Sequence, residues 1–418
     1  MQIFRIIQIG DIHYSDKANF VSPVDGKDSG FPSAVVESIG TPPLQAVFRS
    51  VCHLLDSENY DLVAFMGDFT TRGDREVLVN CINYIRGMFE KSWPQTGDIS
   101  CKLIIGNHDI DRKFDPDKDE RFNDVNSILT DAGFAPASVL VPSELLLSSA
   151  SASSLQVYGI NSCRGCGQLR LLGEIVEKYA GEAIKKLIES GGPEQEIDEL
   201  YENIDTPAVD NQTLEAIQKS VARLSENFLP VICAHHNLLP QATPRIAPYS
   251  ELINGGAVRN SLLSLNRPLL YMHGHLHTDP IEIIRVPSHP KSAIISVSAP
   301  QFRDGFNVIE IAFNSESVPL GLSIVTHRLE GSLVVPKESY VVQAWTTNEG
   351  LKIATPQSRD LMKILEPDVV KHRGDILKAS GWTEAQLDDA LNELRWLGII
   401  EIKNYERPSL HWRIQRTI

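Results

Sequence analysis

Five apolar segments, each followed within two residues by Asp, Asn or His, constrain this chain more than any other feature. The clearest is residues 101–105, predicted to be a buried strand, which runs into Gly106, Asn107, His108 and Asp109. Glycine lets the chain turn sharply where a side chain would obstruct it. An amide, an imidazole and a carboxylate in a row suit a functional site better than a core. Taken alone, these four residues are also compatible with a polar turn.

The same pattern follows four more predicted strands. These strands are residues 3–9, 62–66, 230–234 and 268–272, and the polar residues after them are Asp11, His13, Asp68, His235, His236, His275 and His277. Helical patterns at about residues 44–55 and 75–89 separate the first strands, as in parallel sheets with right-handed crossovers. Open α/β sheets carry their chemistry at the carboxyl ends of such strands. We therefore expect these side chains to meet in one place.

The length of 418 residues predicts one large domain with an appendage. We place the core at residues 1–350, with a charged helical insertion at about residues 165–228 because that stretch separates two core strands. From residue 293 onward the pattern turns to strands, which suit a second sheet. Residues 358–418 show helix, helix, helix and hairpin, an order that resembles a winged helix.

Composition limits the functional classes. A net charge of −15 and a pI near 5.3 disfavour a broad nucleic-acid-binding surface, which needs a basic footprint. Of six cysteines only Cys163 and Cys166 form a CxxC, and a loop with two reduced thiols is a better reading than a zinc site. The sequence predicts no signal peptide and no membrane span, so we expect a cytoplasmic protein.

The polar strand ends, taken together, resemble the calcineurin-like metallophosphoesterase family. The motifs DxH, GD, GNHD, a single His and GHxH occur in that order over about residues 3–345. Carboxylate, amide and imidazole ligands without thiolate suit Mn, Fe, Zn or Co, with manganese favoured. The resemblance implies a four-layer α/β/β/α sandwich that hydrolyses phosphoesters with two divalent cations about 3.5–4 Å apart.

The resemblance also implies a role for each residue. Asp11, His13 and His277 would bind the first cation, Asn107, His235 and His275 the second, and Asp68 would bridge the two. A hydroxide between the cations would be the nucleophile. His108 would protonate the leaving alkoxide or steady the transferring phosphoryl group. His235 is chosen over His236, which would line the site or pack, and Asp109 would serve the turn or orient a ligand.

One position departs from two branches of the family. Thr71 stands where the protein Ser/Thr phosphatases carry the Asp that orients their catalytic His, so His108 needs a different hydrogen-bond acceptor. Purple acid phosphatases carry a Tyr there that binds ferric iron, so no such coloured centre is expected. GNHD with GHxH is more similar to the phosphodiesterase and nuclease branches. Arg72 is a candidate for a substrate phosphate or for a surface salt bridge.

The leading hypothesis is a phosphomonoesterase or phosphodiesterase for a small or medium substrate. The alternative is a nuclease for DNA or RNA, with the winged helix binding nucleic acid or a partner. The helix predicted from Thr383 to Gly398 is acidic and would repel a phosphate backbone, although the hairpin after it is more basic. We therefore favour a tail that packs on the core, self-associates or binds a protein. A scaffold with a decayed site conflicts with the complete ligand set.

Overall fold

The computed structural model describes most of the chain. The described residues are 1–14, 43–71, 73–92, 100–111, 117–149, 153–174, 177–178, 186, 190, 205–224, 227–239, 251–277, 281–367 and 369–417. Arg72, nearly all of the predicted loop at 14–43 and much of the predicted helical insertion lie outside them. No helix within the described ranges is both long and apolar enough to cross a membrane.

The described strands and helices alternate through the first part of the chain. The strands are β1 (Gln2–Ile9), β2 (Leu62–Phe65), β3 (Ser100–Leu103), β4 (Ser143–Ser148), β5 (Ser154–Gly159), β6 (Phe228–Cys233), β7 (Pro268–His273), β8 (Ile281–Ile284), β9 (Ala293–Ser298), β10 (Gly305–Phe313), β11 (Pro319–Glu330), β12 (Leu333–Gln343), β13 (Val370–His372), β14 (Ile400–Lys403) and β15 (Arg413–Arg416). The helices are α1 (Pro43–Ser57), α2 (Arg75–Ser92), α3 (Asn123–Asp131), α4 (Asn211–Val221), α5 (Gly255–Leu263), α6 (Thr347–Ile353), α7 (Pro356–Ile364), α8 (Arg373–Ser380) and α9 (Glu384–Trp396).

Two six-stranded sheets form the core. The first has the order β12-β11-β10-β1-β2-β3, and the second has the order β4-β5-β6-β7-β9-β8. In the first sheet β1, β2 and β3 are parallel, and in the second β5, β6, β7 and β9 are parallel. Every residue of β2, β6, β7 and β9 is buried, because such strands are covered on both faces.

The two sheets pack face to face with helices on both outer sides. Along β1, Phe4 and Ile6 join the apolar cluster between the sheets, whereas Ile7 and Ile9 join the cluster beneath α1, α2 and α3. This alternation follows from the period of two in a strand. Helices α4 and α5 cover the second sheet through a third cluster. The predicted four-layer α/β/β/α sandwich is confirmed.

Two edge strands escaped prediction from the sequence. Strand β4 has the sequence SELLLS and alternates between half-buried and exposed positions, so it lacks the apolar run that marks the central strands. It pairs antiparallel with β5, and β8 pairs antiparallel with β9. Both lie at the ends of the second sheet, where one side of the strand has no neighbour.

The end of the chain contains the predicted series of helices and a hairpin. Helices α7, α8 and α9 precede β14 and β15, which pair with the unpredicted β13 in the order β13-β15-β14. Strand β15 begins at Arg413, three residues later than expected, because a short 3-10 helix at Ser409–His411 follows Pro408. The identification of this unit as a winged helix, and its boundary at residue 358, stay predictions.

This C-terminal unit packs on the outer face of the first sheet. Its apolar cluster includes Ala312 of β10 and Leu320 of β11 together with Leu394 and Trp396 of α9. The Trp396 carbonyl lies so close to β11 that a Cβ at Gly321 would come within 3.1 Å of it. The tail therefore packs on the core, which was one of the expected arrangements.

Candidate metal centre

The predicted site residues follow strands from both sheets and meet at one edge of the sandwich. Two hydrogen bonds tie the strand ends together across the sheets. The backbone N–H of His275 donates to Asp11 Oδ1 at 3.0 Å, and His235 Nδ1 lies 2.7 Å from the carbonyl oxygen of Met66. Within the first sheet, the N–H of His13 donates to the carbonyl oxygen of Asp68 at 2.9 Å.

The backbone is strained where the site residues stand. Seven described non-glycine residues have a left-handed φ, and four of them are predicted metal ligands. These four are His13 (φ 47°), Asp68 (φ 53°), His275 (φ 65°) and His277 (φ 57°). Such conformations cost about 1–3 kcal/mol each and persist where the surrounding structure enforces them. Left-handed backbone therefore concentrates at this edge of the sandwich.

Two glycines allow the ends of β2 and β3 to touch. A Cβ at Gly106 would lie 2.1 Å from Asp68 Oδ1 and 2.2 Å from the backbone nitrogen of Asp68. Gly67 has a φ of +97°, and a Cβ there would lie 2.9 Å from His235 Nδ1. A side chain at Gly106 would collide with Asp68, and one at Gly67 would collide with the Gly106 backbone and the His235 imidazole. The glycine of GNHD thus does more than form a turn.

Two oxygen atoms lie close to the Nε2 atom of His235. Because His235 Nδ1 faces the Met66 carbonyl, Nδ1 carries a proton and Nε2 presents a lone pair in the neutral ring. That Nε2 lies 2.9 Å from Asn107 Oδ1 and 3.3 Å from Asp68 Oδ2. An amide oxygen, a carboxylate oxygen and an imidazole nitrogen at this range require a positive charge between them. The donor set and its directions fit a divalent cation.

A second group lies on the other side of Asp68. Ligand atoms of Asp11, His13 and His277 lie within 4.8 Å of one another. His13 Nδ1 is 3.3 Å from the carbonyl oxygen of Thr70, and His13 Nε2 is 3.0 Å from His277 Nε2. Two imidazole nitrogens this close need a proton or a cation between them.

Asp68 lies between the two groups. Its Oδ2 is 3.3 Å from His235 Nε2 and 3.8 Å from His13 Nε2, while Oδ1 accepts the backbone N–H of His108 at 2.9 Å. Burial alone would raise the pKa of the Asp68 carboxyl, but His235, His108 and His13 outweigh burial and hold that pKa well below its usual range.

The pKa of the buried His235 imidazole depends on the neighbouring carboxylates. Burial by itself lowers the pKa of His235, but the Asp68 and Asp11 carboxylates raise it well above its ordinary value. A cation entering beside His235 must therefore displace a proton, and its binding weakens as the pH falls.

The acceptor for His108 is a backbone carbonyl. His108 Nδ1 lies 2.8 Å from the carbonyl oxygen of Thr71. Thr71 stands where the protein Ser/Thr phosphatases carry an Asp, and its backbone carbonyl orients the ring instead. The ring makes an edge contact with His13, with centroids 5.1 Å apart. Because Nδ1 faces the carbonyl, Nε2 is the nitrogen suited to exchange a proton with a substrate. Asp109 serves the turn, accepting from the N–H groups of Thr70 and Gly106, both at 3.0 Å.

All eight predicted site residues lie in this one region, although their individual roles stay predictions. Those residues are Asp11, His13, Asp68, Asn107, His108, His235, His275 and His277. His273, which sequence reasoning left outside the set, is buried in β7, and burial lowers its pKa to about 4.

Two residues without a sequence signal, Asp205 and Ser162, stand behind the site, together with the two cysteines of the CxxC. Asp205 Oδ2 lies 3.4 Å from His236 Nε2 and 3.7 Å from His275 Nε2. Ser162 Oγ contacts His236 Nδ1 at 2.9 Å. The thiols of Cys163 and Cys166 are free, as expected, and lie buried in a turn beside His236. No motif contains Asp205 or Ser162, so only their spatial position reveals them.

The fold and this site define a hydrolase of phosphoric esters that depends on metal. The family model described as calcineurin-like phosphoesterase matches residues 4–279, which is more than half of the chain. The chain belongs to the calcineurin-like phosphoesterase family, and the resemblance expected from the sequence is confirmed.

Solved structures show distant similarity. A dimetal phosphatase from Danio rerio is 13% identical, with 82% of this chain and 99% of that chain covered at a TM-score of 0.42. A 5′-nucleotidase precursor from Thermus thermophilus is 14% identical, with 88% of this chain and 62% of that chain covered at a TM-score of 0.40. A search of curated proteins finds no sequence match. Scores this low carry no argument about substrate.

Proposed function

We propose that this protein hydrolyses a phosphomonoester or phosphodiester of small or medium size with two divalent cations, manganese being the favoured metal. One observation carries the proposal: Asn107 Oδ1 lies 2.9 Å and Asp68 Oδ2 lies 3.3 Å from His235 Nε2. A buried imidazole nitrogen and two oxygens at this range need a proton or a cation among them, and a divalent cation can take the place of the proton.

Two groups of side chains would hold the cations. Asp11, His13 and His277 would hold one, Asn107, His235 and His275 the other, and Asp68 would contact both. When bound, the cations would polarise the phosphoryl oxygens and lower the pKa of water. The fixed Nδ1 contacts of His13 and His235 direct the Nε2 atoms of both rings into the site.

His108 would act on the leaving group. Its ring is held by the Thr71 carbonyl and packs against His13, so Nε2 is positioned at the border of the site. An imidazole titrates near neutral pH and can deliver a proton to a departing alkoxide. His108 would not bind metal in this scheme, which separates its role from that of its neighbour Asn107.

The nuclease alternative has less support. Helix α9, the element that would enter a DNA groove in a winged helix, is packed against β11 and β12 and carries buried Glu393. Its exposed acidic residues would repel phosphates. A protein partner or a second copy of the chain remains the preferred ligand for this unit, if it binds one.

A turnover panel with Mn²⁺ tests the proposal. It compares an aryl monoester, a bis-aryl diester, cyclic nucleotides, and single- and double-stranded DNA. We expect turnover of a small ester, loss of turnover after chelation, and recovery when Mn²⁺ is added back. Inactivity of the manganese-loaded protein toward every ester would contradict the proposal, and degradation of DNA alone would favour the nuclease.

A further inference from the structure

A buried carboxylate outside every motif contacts one of the proposed ligands from behind. Asp205 is 7% exposed, and its Oδ2 lies 3.7 Å from His275 Nε2. The two nitrogens of an imidazole point in different directions, so a ring whose Nε2 faces a carboxylate presents Nδ1 elsewhere. Metal-ligating histidines commonly donate their second N–H to such a carboxylate.

Asp205 also faces the imidazole of His236, and the hydrogen bonds of Ser162 indicate which nitrogen of that ring carries the proton. Ser162 Oγ accepts the backbone N–H groups of His235 and His236, each at 3.1 Å. Its own hydrogen is then directed to His236 Nδ1, 2.9 Å away. His236 must therefore carry its proton on Nε2, which lies 3.4 Å from Asp205 Oδ2. His236 Nδ1 thus faces Ser162, and its buried Nε2 faces Asp205 without forming a hydrogen bond, whereas His235 presents Nε2 to the site.

The segment that carries Asp205 is fixed to the core. The Thr206 hydroxyl donates to the carbonyl oxygen of Gly165, and the N–H of Ala208 donates to the carbonyl oxygen of Ser162 at 3.0 Å. The N–H of Ile253 donates to the carbonyl oxygen of Pro207 at 2.9 Å. A carboxylate on so constrained a backbone can hold an imidazole in one orientation.

We propose that Asp205 is a positioning residue that fixes the tautomer and ring orientation of His275, so that His275 Nδ1 faces the second cation. The separations of 3.4 and 3.7 Å are longer than a relaxed hydrogen bond, so Asp205 attracts the N–H of each ring without a short bond. One carboxylate thus serves two imidazoles and connects the segment before α4 to the metal centre. This inference rests on the proposed function, because it needs a cation at His275.

The neighbouring thiols do not supply a competing site. Ligand atoms of Cys163, Cys166 and His236 lie within 4.8 Å of one another. However, Cys163 Sγ lies 3.2 Å from the carbonyl oxygen of Ile105, a contact that only a protonated thiol makes, although Cys166 and His236 outweigh burial and lower the pKa of this thiol to about 6. The contact geometry favours the thiol, because that carbonyl oxygen would repel a thiolate. The Nδ1 of His236 already receives the Ser162 hydroxyl. A thiolate-bound zinc would need both arrangements to change.

The test measures manganese binding by the full-length protein and by three variants. They are Asp205→Ala, Asp205→Asn and the control Asp210→Asn, which alters a carboxylate of the same segment that caps α4 and pairs with Arg164. We expect Asp205→Ala to weaken one of two Mn²⁺ sites by about 10–100-fold and leave the other near wild type. Activity lost at low Mn²⁺ should return at high Mn²⁺. The Mn²⁺ affinity of Asp205→Asn should lie between those of Asp205→Ala and the wild type. Asp210→Asn should bind Mn²⁺ as the wild type does.

Three results separate the possible failures. If Asp205→Ala bound both Mn²⁺ ions as tightly as the wild type, and the wild-type enzyme were active, the positioning role of Asp205 alone would be overturned. Sulfur neighbours at about 2.3 Å around a bound zinc in X-ray absorption would also overturn it, by assigning His236 to a separate site. A wild-type protein that binds no pair of Mn²⁺ ions would overturn the proposed function and this inference together.

Discussion

Two buried carboxylates in this protein have opposite surroundings. Glu393 of α9, 4% exposed, accepts from the backbone N–H of Thr355 at 2.9 Å, from two hydroxyls and from Asn314 Nδ2 at 3.2 Å. Asp68, 1% exposed, accepts one N–H through Oδ1, and its Oδ2 faces His235 Nε2 and His13 Nε2. The first is surrounded by donors that the chain supplies, whereas Oδ2 of the second faces two imidazole nitrogens that can carry a proton or present a lone pair to a cation.

This difference separates a carboxylate that stabilises the fold from one prepared for a ligand. Around Glu393 every described contact is a donor, so the group needs nothing from outside. At the site of Asp68, four of the predicted ligands have left-handed backbone, which costs about 1–3 kcal/mol each. An external positive charge would make the second arrangement favourable. The comparison predicts that substitutions in the two regions affect different measurements.

The largest effect should follow Asp68→Asn. Loss of the charge between His235 and His13 should remove the basis for holding both cations. We expect turnover of a small ester to fall by at least about three orders of magnitude, or roughly 4 kcal/mol in the barrier. The metal content should fall below one Mn²⁺ per chain, measured by plasma mass spectrometry. Retention of both ions would contradict the bridging role.

A smaller loss of turnover should follow His108→Gln. Since this ring is assigned to the leaving group and not to metal, turnover should fall by about 10²–10⁴-fold while metal content stays at the wild-type value. A substrate whose leaving group needs no proton should be much less affected. Equal losses of metal and turnover would show that His108 is a ligand.

Glu393→Gln should destabilise the protein without changing the chemistry. The amide would set its NH₂ against donors of Thr355 or Ser358, which should cost about 1–3 kcal/mol in the free energy of unfolding. Chemical denaturation measures this value. Glu384→Gln is the matched control, because that side chain is 75% exposed and, within the described residues, pairs with Arg373 alone. Similar losses in the free energy of unfolding for Glu393→Gln and Glu384→Gln would contradict the stabilising role of Glu393.

The smallest effect should follow Thr71→Ala. The His108 ring is held by the carbonyl oxygen at position 71, which the substitution retains. Turnover should therefore stay within about threefold of wild type, as for an exposed substitution that breaks no contact. A loss beyond tenfold, with metal content intact, would indicate that the Thr71 side chain takes part.

The strands and the site were predictable to different depths. Buried strands are visible as apolar runs, and the polar residues at their ends are next to them in sequence. The convergence of Asp11 and Asp68 follows from one parallel sheet, whereas that of His235 also needs the second sheet to pack against the first. Strand β4 alternates weakly at an edge and gives no such signal. Asp205 reaches His275 only through tertiary folding, and the acceptor for His108 is a backbone atom that every residue has.

The C-terminal unit shows the same limit. The acidic character of α9 and its cap at Thr383 are visible in the sequence, and Thr383 does accept from Gln386. Its packing against β11 is not visible, because Glu393 looks like one more exposed acid until Asn314 and Thr355 are placed around it. Local patterns predict elements, whereas the partners of a buried polar group depend on segments distant in sequence.

Anomalous diffraction at the manganese edge, from crystals of the protein grown with Mn²⁺, tests the central claim most directly. We predict two peaks about 3.5–4 Å apart with the Asp68 carboxylate in contact with both. Asn107 and His235 should touch one ion, and His13 and His277 the other. A single peak, or a pair of peaks away from Asp68, would contradict the account.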